Sequence, residues 1–99
     1  MSENKQHGID VNLDQEVAQG HYSNLAIISH STSEFIIDFA AILPGLPKAE
    51  VKSRIILTPE HAKRLLMSLQ DNIARYETNV CRIELQQPQA PVGLGHKLN

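Results

Sequence analysis

The stretch from Tyr22 to Gly45, YSNLAIISHSTSEFIIDFAAILPG, constrains this chain more than any other. It is apolar at alternate positions in its first half and at nearly every position from Phe35 to Leu43. Alternation is the period of a strand with one wet face, and an unbroken aliphatic run is the pattern of a strand covered on both. A chain of 99 residues forms one small domain, and such a domain buries only about 60–70% of the surface its unfolded chain exposes. Few elements remain to cover two faces.

The punctuation around this stretch divides the chain. Ser31-Thr32-Ser33 predicts a turn between a strand over Tyr22–Ser29 and one over Glu34–Leu43. Pro44-Gly45-Leu46-Pro47 ends the latter, because neither proline can donate to a ladder and the glycine admits turn conformations. A further strand is expected at Val51–Leu57. Upstream, Ile9, Val11 and Leu13 alternate with Asp10, Asn12 and Asp14, which predicts an edge strand whose aspartates face water. Residues 1–8 and 86–99 lack period and are read as flexible tails around a single domain over 9–85.

The helix signal is the most local. Thr58 is an N-cap residue, Pro59 stands where its missing N–H costs nothing, and Glu60 complements the dipole. Ala62, Leu66, Leu69, Ile73, Tyr76 and Val80 then recur at alternating spacings of four and three, with Leu65 broadening the stripe. Cys81 and Ile83 leave open whether the helix continues past Glu77 or a short strand follows. The expected fold is therefore α+β: a four-stranded antiparallel meander followed by one long C-terminal helix packed on one face.

Hairpins centred on Gln19 and Thr32 would place Val11, Leu13, Leu25, Ile27, Phe35, Ile37, Phe39, Ile55 and Leu57 on one face, beneath the helix. The other face would carry Ala26, Ile28, Ile36, Ala40, Ile42 and Ile56, interrupted by Asn24, His30, Glu34, Asp38, Lys52 and Arg54. One helix cannot cover both sides, and contiguous exposed isoleucines are uncommon on a monomer. That second face is the expected self-association or partner surface, in a dimer or a tetramer, or against another protein or a peptide.

Composition narrows the function classes. A formal charge of -2 and a pI near 6.2 give no bulk attraction for phosphate backbones. Lys48, Lys52, Arg54, Lys63 and Arg64 form a candidate basic patch around the fourth strand and the helix start, the basis of an alternative nucleic-acid reading. The lone Cys81 closes no intrachain disulfide, and no charged leader opens the chain, so a cytoplasmic protein with no membrane span is expected. The five histidines have no paired metal spacing, and Glu34 and Asp38 are separated by about 13 Å of strand rise, too far to act together on one bond. They are read as charges that pair across strands with Arg54 or Lys52. Ser29, Ser31 and Ser33 are turn formers, and no nucleophile elbow or glycine-rich phosphate loop is present. No enzyme activity and no cofactor are expected.

At GHYSN (20–24), EFIIDF (34–39), LPG (43–45), SRIILTPEHAKRLL (53–66) and NIARYE (72–77) the chain resembles the prokaryotic family known as domain of unknown function 3467. The resemblance implies a stable fold and brings no activity or catalytic residues. In outline, strands followed by a long helix also resemble the export chaperone SecB, by topology and without a shared motif. That outline implies an oligomer offering apolar surface to another chain. The reading is a non-enzymatic oligomeric binding or assembly module, chaperone-like in the second resemblance.

Overall fold

The structure, a computed structural model, describes residues 8–86. Its elements are a single helical turn α1 (Gln15–Ala18), the strands β1 (Leu25–His30), β2 (Phe35–Ala41) and β3 (Glu50–Leu57), and the long helix α2 (Pro59–Asn79). The sheet is three-stranded and antiparallel in the order β1-β2-β3. The α+β class and the meander hold, with three strands in place of four. Apart from Gly8 and Gln86, the two expected tails lie outside the described residues.

The missing strand is the one expected at Ile9–Asp14. These residues carry no ladder, their apolar side chains are exposed, and Asp14 instead leads into α1, where Ala18 N–H bonds its carbonyl at 2.8 Å. Alternation alone does not hold a strand: Asp and Asn are poor strand formers and bond locally, as Asn12 Nδ2 does to Asp14 Oδ1 at 2.9 Å.

The β1–β2 hairpin turns on two residues, Thr32 and Ser33. Ser31 N–H donates to Glu34 O at 2.9 Å, and Ser31 Oγ accepts from Ser33 N–H at 3.2 Å. An even loop centres the hairpin between residues, whereas the expected centre was Thr32 itself. The observed pairs are accordingly Leu25 with Ala40, Ile27 with Asp38 and Ile28 with Ile37. This one-residue difference exchanges the faces of β1 relative to β2. Asn24 extends the hairpin at its other end. Its side chain donates to Ile42 O at 3.1 Å and accepts from Ile42 N–H at 2.7 Å, in the manner of a strand residue.

Between β2 and β3, Leu43-Pro44-Gly45-Leu46 is a turn closed by Leu46 N–H on Leu43 O at 3.3 Å, with Gly45 at φ 83°. Proline second and a positive-φ glycine third is the type II pattern. Across it Phe35 pairs with Leu57, Ile37 with Ile55 and Asp38 with Arg54. That is two residues from the expected register, so the β3 side chains from Ser53 to Leu57 keep their expected faces. A bulge between Phe39 and Ala40 leaves Lys52 without an opposite residue.

α2 begins as its sequence requires, with Thr58 Oγ1 accepting from His61 N–H at 3.1 Å and Pro59 opening the first turn. It ends at Asn79, and Cys81–Gln86 form no regular element, although Ile83 N–H reaches back to Glu77 Oε2 at 3.0 Å. The helix is not laid over the sheet. None of its residues is buried, and its principal contact is with β3, the strand it follows. The buried apolar core of the described residues is Leu25, Ile37, Ala40 and Ala41, all around the central strand.

Candidate functional site

The two sheet faces follow from the register. One carries Ala26, Ile28 and His30 of β1, Phe35, Ile37 and Phe39 of β2, and Ser53, Ile55 and Leu57 of β3. The other carries Leu25, Ile27 and Ser29, then Ile36, Asp38 and Ala40, then Arg54 and Ile56. The expected partner face is thereby divided. Ile36, Ala40 and Ile56 share a face, Ala26 and Ile28 lie on the opposite one, and Ile42 stands just beyond β2 with its backbone held by Asn24. Ile28 is 61% exposed and Ile56 57% exposed, so neither face is closed within the chain. His30 stacks on Phe35 at the hairpin end, ring centroids 5.3 Å apart.

At the centre of the second face sits Asp38, 1% exposed and the one charged residue buried among those described. Arg54 on β3 meets it bidentately, Nε to Oδ1 at 2.7 Å and Nη2 to Oδ2 at 2.8 Å. This fork is the geometry that best satisfies a carboxylate. Its hydrogen bonds hold the Asp38 carboxyl below the usual range, against the opposing effect of burial, and Arg54 is raised in turn. The arrangement is chemically quiet. Asp38 is closed off by the pair, while the Arg54 side chain stays half exposed.

The five cations of the candidate basic patch are spread over the loop before β3 (Lys48), β3 itself (Lys52, Arg54) and the first turns of α2 (Lys63, Arg64). Two of them are engaged within the chain, Arg54 by Asp38 and Arg64 by Glu60 at 2.7 Å. A shallow open depression lined by Ser33, Glu34, Ile56, Leu57 and Thr58 lies at the end of the sheet and holds no convergent charged pair. Among the described residues no three His, Cys, Asp or Glu side chains come together as a metal site, and no helix is long and apolar enough to cross a membrane.

What the sequence did not disclose is the exposure of α2. Its stripe reads like a helix packed on a sheet, yet Leu66, Leu69 and Val80 are all more than half exposed. Four-three spacing with Leu65 beside it is a pattern shared by a helix packed on a sheet and a helix paired with another, so spacing alone does not predict the exposure.

A family model described as "Protein of unknown function (DUF3467)" matches residues 1–85. No curated protein and no solved structure matches the chain.

Proposed function

The chain belongs to the DUF3467 family of proteins of unknown function, and we propose that it is a non-enzymatic, self-associating binding or assembly module. The observation that carries this reading is the surface left open by the single chain. Four apolar residues make the core of the described chain, while Ile28 and Ile56, on opposite sheet faces, and Leu66, Leu69, Ile73 and Tyr76 of α2 remain exposed. A patch on that scale marks an interaction surface. Fully covering one isoleucine contributes on the order of 1.5–3 kcal/mol before association entropy is subtracted, so a few per subunit decide the outcome. Arg54 gives the Asp38 face a fixed polar point within its aliphatic field, which favours a partner in one orientation.

Light scattering on the wild type and on Ile56→Asp tests the reading. Ile56 is exposed in the chain, so the substitution acts on an interface and leaves the core in place. A dimer or tetramer that dissociates on substitution is the expected result. A monomeric wild type at micromolar concentration, with a variant of unchanged stability, removes the basis of the reading.

A further inference from the structure

We propose that α2 pairs with α2 of a second copy, antiparallel and about a two-fold axis level with Asp71; this rests on the self-associating reading above. The stripe of α2 is a heptad seam. Ala62, Leu69 and Tyr76 hold one seam position and Leu66, Ile73 and the C-cap residue Val80 the other, separated alternately by four and three residues. Laid against itself antiparallel, the seam is self-complementary throughout: Ala62 meets Val80, Leu66 meets Tyr76 and Leu69 meets Ile73. Each layer thus joins one residue of each seam position, and the sequence closes on itself without a register shift, as an isologous interface requires.

The charges select this direction. Lys63 and Glu77 occupy the flanking position that follows each of two seam residues, Ala62 and Tyr76. In the antiparallel pair they fall in the same step, so Lys63 of each copy meets Glu77 of the other, once at each end. In a parallel pair the flanking contacts join Leu65 with Gln70 and Asn72 with Glu77, which gives no pair of opposite charges. The charges on the outer side of the helix are already satisfied within it, Arg64 by Glu60 and Arg75 by Asp71. Lys63 has no ion-pair partner among the described residues, and Glu77 accepts only the Ile83 N–H on Oε2, which leaves Oε1 for a cation.

The single cysteine supplies a distance. Asn79, the last residue of α2, lies eight residues from Asp71, so at about 1.5 Å per residue the two helix ends stand roughly 24 Å apart in the antiparallel pair, against about 10 Å between neighbouring backbones in a parallel one. Cys81 lies two residues further along the chain. The experiment combines spin labels on Cys81 of the full chain with the mass in solution of wild type, Lys63→Glu, Glu77→Lys and the doubly exchanged chain. Both substituted residues are exposed, and the one bond that Glu77 accepts, from Ile83 N–H, ties down the segment after α2 and no part of the sheet. Expected are a long Cys81 separation, roughly 20 Å or more, a dissociation constant about tenfold higher in each single variant from two attractions turned to repulsions, and recovery in the double exchange. An oligomeric wild type with a short Cys81 separation, or with association indifferent to charge reversal, overturns the helix pairing and leaves self-association standing. A monomeric wild type overturns both.

Discussion

Asp38 shows how one charged residue can sit in the middle of a strand that is otherwise aliphatic. Its two oxygens are filled by the fork of Arg54, which lowers the carboxyl's pKa against the opposing effect of burial. The sign of the pH dependence follows. The folded carboxyl titrates below its ordinary 3.8, so the stability the pair contributes is complete above that pH and is lost as the pH falls through the lowered folded value. Arg54→Leu removes the cation and leaves the carboxylate with burial alone, which raises its pKa. Acid titration followed by far-UV circular dichroism is expected to show the variant unfolding at a higher pH than wild type. Superimposable curves would mean that the pair does not stabilise the fold. The sequence offered Asp38 a choice of Arg54 or Lys52. The β2–β3 register decides it by setting Arg54 directly opposite Asp38, while Lys52 lies two residues away at the bulge.

At the scale of elements, the ends are where sequence acts most directly. Thr58→Ala removes the acceptor for His61 N–H and is expected to cost about 0.5–2 kcal/mol in chemical denaturation, with Thr58→Ser close to wild type. Gly45→Ala has open space for its Cβ, so its expected cost of about 1–2 kcal/mol comes from the positive φ alone, and Gly45→Asn should cost less. An alanine variant as stable as wild type would show that the turn changes type without penalty. These features were legible because capping and turn chemistry act within four residues. The helix start, the Pro-Gly turn and the sites of β1, β2 and β3 could all be read from the chain. The register of the first hairpin could not, because Ser31-Thr32-Ser33-Glu34 supports a loop of two or three residues and only the bond of Ser31 to Glu34 fixes the even one. That single parity moved Ala26 and Ile28 off the face of Ile36, Ala40 and Ile56. The expected strand at Ile9–Asp14 failed for a related reason, since a strand exists only with a neighbour and the outer edge of β1 receives none from this segment.

For the whole molecule, the balance between core and surface makes stability and association one equilibrium. The buried apolar residues Leu25, Ile37, Ala40 and Ala41 all surround one strand, and α2, the largest element, contributes none. Such a chain offsets little of the conformational entropy of its own folding, so the proposed assembly must supply part of what keeps it folded. If two chains unfold as they separate, the transition depends on the total concentration, and a tenfold dilution lowers the folding free energy of the pair by about 1.4 kcal/mol. Spread over the unfolding entropy of two chains, that corresponds to a fall of roughly 2–4 °C in the midpoint. Thermal unfolding followed at several protein concentrations is expected to show this drift, and Ile56→Asp, which weakens the contact between copies, should unfold at a lower temperature. A midpoint that stays fixed on dilution, in wild type and variant alike, would mean that the three strands and the helix are stable without a partner, and that the open faces serve something other than self-association.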